Sequence, residues 1–281
     1  MNYREVLNMG IARLESAGIE GAKVDAKLLL QKAADLSSTE LILKAFDEIE
    51  KEKEEAYFAF LKKREKRIPL QYITGEAPFM NYVFKTNEKV LIPRFDTEIL
   101  VDNALKNAPD KKISVLDMCC GTGCIGISFY LERKRKGISD SVTLVDISDD
   151  AIAVSKKNSE LLGADVNIVK SDLYSEIKNE SFDMILSNPP YIKSSEIETL
   201  LPEVKDHEPH LALDGKENGL YFYKRIIEGL KERLNDNGMV IFEIGCDQYE
   251  AVKGLLVDNS FRNVRVVKDL SGLDRVVIAE K

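Results

Sequence analysis

From residue 113 onward the chain repeats one pattern: a short run of Val, Ile and Leu, a polar or glycine-bearing turn, then a helix-length stretch. "ISVLDM" leads to a glycine-rich turn and a helix, and "VTLVDI" leads to "SDDAIAVSKKNSELLG", where Ser148 or Asp149 can cap a helix. "VNIVK", "FDMILS", "MVIFEI", "NVRVV" and "RVVIAE" follow in order. Most of these runs are dominated by apolar residues. Separated by helices, they argue for a parallel sheet covered on both faces, because parallel neighbours are joined by long crossovers.

The first 70 or so residues have a different period. Val6, Leu7, Ile11 and Leu14 recur at helical spacing, and Leu28 to Leu30 lie in a second periodic segment. "SSTE" at 37–40 matches a capping box, Ser37 with Glu40 three residues on. The next stretch is acidic early ("DEIEKEKEE") and basic late ("KKREKR", 62–67), the order that complements a helix dipole. Its basic end reads as a solvated helix terminus, or as a contact with an acidic partner or RNA. Pro69, Gly75 and Pro78 break the pattern, residues 79–92 alternate like a hairpin turning near Asn87, and a helix begins near Asp96. The division is therefore a helical domain over 1–75, a hairpin linker over 76–94 and an α/β domain over 95–281, which a chain of 281 residues can accommodate.

Charge bears on partners. Forty Lys and Arg against 48 Asp and Glu give a net charge of −8, and residues 1–75 are balanced, so the deficit lies in the α/β part. A protein whose main work is gripping a phosphate backbone is usually basic, which argues against direct nucleic-acid binding. No apolar run approaches the roughly 20 residues of a membrane span. The start, "MNYREVLNMGIARLE", lacks the apolar core of a signal peptide, and the chain reads as cytosolic. Cys119, Cys120 and Cys124 crowd together without paired C-x-x-C spacing, and His207 and His210 stand far along the chain. These read as buried free thiols, with no metal site.

"GTGCIG" at 121–126 follows the first strand and opens a helix, so Gly121, Gly123 and Gly126 match G-x-G-x-x-G, with Asp146 at the end of the next strand. Taken alone this fits any adenosine-bearing ligand, a nicotinamide cofactor included. Asp117, four residues before Gly121, tips the reading towards S-adenosylmethionine: an acid suits an ammonium and a sulfonium and repels a pyrophosphate. Asp172 follows the third strand, so three acids fall at strand C-termini, the ligand-binding edge of such sheets.

"FDMILS" ends abruptly in Asn188, Pro189, Pro190 and Tyr191. Residues before proline are pushed to extended conformations, and proline has no N–H, so the turn is stiff and presents carbonyls. A substrate –NH₂ whose lone pair is delocalised, as in an amide or a nucleobase, is a poor nucleophile. The Asn188 side-chain oxygen and the Pro189 carbonyl can accept its two hydrogens and fix the nitrogen against a sulfonium methyl, and Tyr191 can pack on the planar group. Asn188, Pro189 and Tyr191 are thus the candidate catalytic residues, with Pro190 completing the substrate ledge.

With these motifs in place the chain resembles the release-factor glutamine methyltransferase family over nearly its whole length. "PLQYITGEAPF", "VLIPRFDTEILV", "VLDMCCGTGCIGIS", "VDISDDAIAVSKKN", "DMILSNPPYI", "EPHLALDGKENGLYFYKRI", "FEIGCDQ" and "DLSGLDRVV" carry the resemblance, in family order. It implies a class I methyltransferase fold: a Rossmann-like, mostly parallel seven-stranded sheet of order 3-2-1-4-5-7-6, with a small N-terminal α-helical domain that docks the substrate. It also implies methyl transfer from S-adenosylmethionine to the side-chain nitrogen of the glutamine in the Gly-Gly-Gln motif of class I peptide-chain release factors. Residues 188–191 would bind that glutamine. Asp117, Cys119, Cys120, Gly121, Thr122, Gly123, Asp146, Asp172, Leu173 and Asn188 would hold the cofactor. Four positions depart from the family pattern: Cys119 and Cys120 stand for Gly and Thr, Phe95 for proline, and Leu173 for an aromatic residue beside adenine. A nucleic-acid amino-methyltransferase would explain the NPPY turn but not the acidic charge. A nicotinamide oxidoreductase would explain neither that turn nor Asp117.

Overall fold

A computed structural model describes all residues, 1–281. Five helices come first: α1 (Tyr3–Ser16), α2 (Ala22–Ala34), α3 (Ser38–Leu43), α4 (Lys51–Glu65) and α5 (Leu70–Thr74). A hairpin, β1 (Glu76–Phe79) and β2 (Tyr82–Lys85), leads to α6 (Phe95–Asn107). Alternation then sets in with β3 (Ser114–Met118), α7 (Cys124–Arg135), β4 (Ser141–Asp146), α8 (Asp149–Leu162), β5 (Asn167–Lys170) and β6 (Phe182–Ser187). After a 3₁₀ turn at Ser194–Thr199 come the short helices α9 (Pro202–Lys205) and α10 (His210–Leu213). The chain closes with α11 (Tyr221–Arg233), β7 (Leu234–Glu243), α12 (Tyr249–Asp258), β8 (Arg262–Lys268) and β9 (Asp274–Glu280). No helix is long and apolar enough to cross a membrane.

Met1–Glu76 with Leu201–His207 form one unit, and Ala77–Leu200 with Glu208–Lys281 form the other. In the first, α1 buries Tyr3, Val6, Gly10 and Leu14, one stripe at helical spacing. Gly10 carries no side chain because the ring end of Tyr57 fills that space. Asn2 and Glu5 form a capping box that the sequence reading did not single out, and the Ser37–Glu40 box at α3 is formed as read. The basic end of α4 is not uniformly solvated. Arg64 is buried, with its Nε 2.7 Å from Asp25 Oδ2 and its Nη1 3.1 Å from Glu203 Oε1. Arg67 donates to the Gly18 carbonyl at 2.9 Å and pairs with Glu203 at 3.2 Å. Two members of the basic run are therefore internal ties of the helical unit.

The second unit is built on a seven-stranded sheet of spatial order β5-β4-β3-β6-β7-β9-β8. Numbered within the sheet, this is 3-2-1-4-5-7-6, as the resemblance implied. β3–β4, β3–β6, β4–β5 and β6–β7 pair in parallel, and β9 is antiparallel to both β7 and β8. Residues alternate between the two faces, which places Val115 in the apolar layer that includes Leu100, Val101 and Phe129 and Leu116 in the one that includes Tyr223, Ile226 and Leu230. Ile185 and Leu186 in β6 are fully buried, each contributing roughly 1.5–3 kcal/mol of apolar burial.

The hairpin differs from the sequence expectation. The chain reverses at Met80 and Asn81, not near Asn87, and Asn87 sits in a later turn outside any strand. Met80 takes a left-handed φ of 52°, and Glu98 of α6 accepts its N–H at 2.7 Å. A contact 18 positions away therefore selects the turn, which local turn composition did not reveal.

Candidate active site

Sheet order alone lines up the candidate groups. Asp172 follows β5, Asp146 ends β4, Asp117 lies near the end of β3 and Asn188 follows β6, so they run in that order along one edge. Adjacent strands stand about 4.8 Å apart, which spaces the groups for a single extended ligand. A cavity of about 300 Å³ opens on this edge, within the range of small-molecule sites. Its lining includes Cys119, Cys120, Gly121, Thr122, Asp146 and Asn188. Asp172, Leu173 and Pro190 also face it, whereas Asp117, Gly123, Pro189 and Tyr191 stand behind the lining.

The turn after β3 has an unusual backbone. Cys119, Gly121 and Gly123 all adopt positive φ, at 62°, 54° and 80°. Glycine takes this region freely, and Cys119 costs about 1–2 kcal/mol there. Gly126, in the first turn of α7, lies against Asp117, where an added Cβ would come within 3.0 Å of that side chain. Buried Asn158 fixes the turn from α8, donating to the Thr122 carbonyl at 2.9 Å and the Lys85 carbonyl at 3.0 Å while accepting the Lys85 N–H.

Asp117 is fully buried, and its Oδ2 accepts the Gly126 N–H at 2.9 Å. Its Oδ1 has no partner. Burial pushes this carboxyl up to about 7, against the pull of the α7 N-terminus through Gly126. Asp146 is raised by burial too, although its oxygens accept the Gly121 N–H at 2.9 Å and the Ser148 N–H at 3.0 Å. Asp172 is half exposed and pairs with Arg225 of α11 at 3.0 Å. The thiols of Cys119, Cys120 and Cys124 are all held up by burial, the last at about 12, so they stay protonated and unreactive. No group of three or more His, Cys, Asp or Glu converges as metal ligands would.

At β6, Ser187 Oγ donates to the Met118 carbonyl at 2.7 Å and pins the strand end to β3. Asn188 Nδ2 donates to Thr97 Oγ1 at 3.3 Å, and Thr97 Oγ1 donates to Glu243 Oε2 at 2.5 Å. The Tyr191 hydroxyl donates to the other Glu243 oxygen at 3.3 Å. Burial raises the Glu243 carboxyl to about 7, opposed by Thr97, Arg275 and Tyr191. Tyr191 is itself held well above the usual phenol range by burial and by Glu243.

The sequence reading missed Thr97 and Glu243, as well as Arg225, Phe222 and Pro93 in the cavity wall. Glu243 was within reach: it is an acid at the C-terminal end of a buried strand, the same signal that singled out Asp146. Thr97 carries no such mark and is found only through its contacts.

Two family models match the chain: "PrmC N-terminal domain" over residues 5–75 and "Methyltransferase small domain" over residues 94–216. The methyltransferase of Pyrococcus furiosus superposes with a TM-score of 0.52 at 18% identity, covering 70% of this chain and 88% of its own. The Thermus thermophilus 16S rRNA N2 G1207 methyltransferase, solved with AdoMet and guanosine, gives 0.52 at 15% identity over 73% of this chain and 49% of its own. These show the class I methyltransferase fold. Among curated relatives, the release factor glutamine methyltransferase of Clostridium botulinum is 38% identical over 100% of both chains. That of Bacillus anthracis is 39% identical over 90% of this chain and 91% of its own. Through this likeness along its full length, the chain belongs to the release factor glutamine methyltransferase family.

Proposed function

We propose that the protein transfers a methyl group from S-adenosylmethionine to the side-chain amide nitrogen (N5) of a glutamine in class I peptide-chain release factors, the glutamine of their Gly-Gly-Gln motif. The observation that carries this reading is the hydrogen-bonded Asn188 at the end of β6, facing the cavity that the glycine turn lines. Its Nδ2 is engaged by Thr97, so Oδ1 is the end left to accept an N–H. Pro189, next to Asn188 though not itself lining the cavity, would supply the second acceptor through its carbonyl. Two acceptors hold a planar –NH₂ by both hydrogens and orient its nitrogen, which supplies several kcal/mol of the required acceleration as positioning. No strong base acts beforehand, because the nitrogen sheds a proton readily only once it has begun to bond the methyl.

The residues present fit the cofactor. Asp117 places a negative charge, with an unpartnered oxygen, beneath the glycine turn, suited to a ligand carrying an ammonium and a sulfonium. Asp146, at the end of β4, would take the ribose, and Asp172 and Leu173 would border adenine. When bound, S-adenosylmethionine supplies an electrophilic methyl on a positive sulfur. The helical unit, which takes in 201–207 as well as the expected 1–75, would dock the release factor, and the sheet unit, which takes in the expected linker from 77 onward, would carry catalysis.

The deciding experiment incubates an intact release factor with this protein and S-adenosylmethionine, then maps the Gly-Gly-Gln peptide by mass spectrometry. A single added methyl on the glutamine is expected. An unmodified glutamine despite bound cofactor would sink the substrate assignment and direct the search to nucleic-acid amino groups.

Asp117 gives a second expectation. Its carboxyl is raised from 3.8 to about 7 in the fold, so its contribution to stability is full below pH 4 and is lost as pH rises through about 7. Asp117→Asn removes a buried unpaired charge at pH 8 while leaving one buried amide group unsatisfied. The ligand-free variant should then be about 2–3 kcal/mol more stable at pH 8 and nearly unchanged at pH 5. Its cofactor affinity should fall at least about tenfold, the scale of one lost charge contact. Urea unfolding at the two pH values and titration calorimetry test both halves, and undiminished affinity would remove Asp117 from the cofactor site.

A further inference from the structure

Asn188 can act as described only if its amide oxygen, not its NH₂, faces the cavity. The two orientations have nearly the same shape, so packing does not choose between them; hydrogen bonding must. The choice is made by a chain of donors on three separate elements. Thr97 in α6 is 2% exposed and Glu243 at the end of β7 is 2% exposed, so water does not compete for either. An ionised Glu243 only accepts, so the single Thr97 hydroxyl hydrogen points at Glu243 Oε2, 2.5 Å away. Thr97 Oγ1 can then only accept from Asn188, which brings Nδ2 to it and turns Oδ1 the other way. The second Glu243 oxygen takes the Tyr191 hydroxyl, so one carboxylate steadies both ends of the NPPY turn.

We propose that Glu243 and Thr97 are positioning residues that set which end of the Asn188 amide faces the substrate, so that the ionised carboxylate specifies an acceptor and the protonated one releases it. This rests on the methyl-transfer reading of the site. A protonated Glu243 can donate to Thr97 Oγ1, freeing the Thr97 hydrogen to donate to Asn188 Oδ1. The amide then turns its NH₂ outward, where it repels the substrate N–H groups.

Several charged and titratable groups surround Glu243. Arg275 on β9 favours its ionised form, while Asp96 on α6 opposes it. Arg275 is shared with Asp269 at 3.1 Å and Asp96 at 3.5 Å. Tyr191 stays protonated, as do Cys124 on α7 and Tyr223 on α11, the last donating from its hydroxyl to the Glu243 carbonyl at 2.7 Å. None of these three changes charge in the neutral range, and the Glu243 carboxyl, at about 7, is the member of the cluster that titrates there.

The test compares wild type with Glu243→Gln, Thr97→Val and Thr97→Ser at saturating cofactor, whose ammonium and sulfonium would hold the Asp117 carboxyl ionised well below 7. Wild-type kcat should fall as pH drops through about 7, the value of the Glu243 carboxyl. Glu243→Gln should lose that limb, since a neutral amide can donate or accept and no longer specifies the chain. Thr97→Val should lower kcat roughly 10–100-fold with KM and cofactor affinity within about threefold, and Thr97→Ser should recover most of the loss. A readout independent of turnover is the Asn188 side-chain ¹⁵NH₂ signal in asparagine-labelled protein, identified by its disappearance in Asn188→Ala. In wild type it should shift with pH through the same range, and in Glu243→Gln it should not. A signal that is identical and pH-independent in wild type and Glu243→Gln would overturn the proposal, as would wild-type kcat in Thr97→Val. Should wild type leave release factor unmethylated while the Asn188 signal behaves as expected, the positioning inference stands and the substrate reading falls.

Discussion

Asn188→Ala should lower kcat for glutamine methylation by roughly 10²–10³-fold, the scale seen when one preorganised hydrogen-bonding group is removed from a reacting centre. The side chain is half-buried, and its loss takes away the oxygen proposed to hold the substrate nitrogen in place. The fold should barely notice. Thr97 keeps its bond to Glu243, Pro189 and Pro190 remain packed, and the unfolding free energy should change by about 1 kcal/mol or less. Cofactor affinity should stay within a few-fold of wild type, because the other residues proposed to hold the cofactor are untouched. Single-turnover kinetics on a release factor, with calorimetry for the cofactor, separate these effects. Retention of full kcat would show that the Asn188 oxygen is not the group holding the nitrogen, and the mechanistic reading would then fail.

Arg133→Met should destabilise the sheet unit by about 3–5 kcal/mol, the range for stripping one partner from a buried ion pair. Arg133 in α7 is 1% exposed. Its Nε donates to Asp140 Oδ2 at 2.7 Å, and its Nη2 donates to the Lys111 carbonyl at 2.7 Å. Asp140 in turn accepts the Ile113 N–H at 2.9 Å, just before β3. The pair therefore fixes the end of α7 to the entry of the strand that carries Asp117. Removing the guanidinium leaves a buried carboxylate with a single backbone donor. Adding Asp140→Leu to the variant should recover part of the loss, because the uncompensated charge goes with it. The chain has no tryptophan, so urea unfolding is best followed by far-ultraviolet circular dichroism. A loss below about 1 kcal/mol would mean that water or a shifted Lys reaches Asp140, contrary to its burial.

How far the sequence could be read depended on where each signal was stored. The strands from 113 onward declared themselves because apolar runs and turn residues are local, and the glycine turn announced itself by residue type. The acids at the ends of β3, β4 and β5 could be picked out by counting from those strands. The hairpin was misplaced to Asn87, since a residue suited to turns sat within an alternating stretch while the true reversal used Met80 against Glu98. The basic run 62–67 looked like surface, yet Arg64 and Arg67 reach Glu203, 139 and 136 positions away. Composition could not foretell that.

The candidate site divides in the same way. Sequence determined that Asn188 would end a buried strand on a stiff proline turn, because proline geometry and strand period act over a few residues. It also determined that a glycine turn would face the same sheet edge, since parallel strands deliver all their C-termini to one side. Only the tertiary structure decided which end of the Asn188 amide faces outward. That choice is made through Thr97, 91 positions from Asn188, and Glu243, 146 positions from Thr97. A buried hydroxyl has one hydrogen to give, and where it points depends on partners that only folding brings within hydrogen-bonding reach.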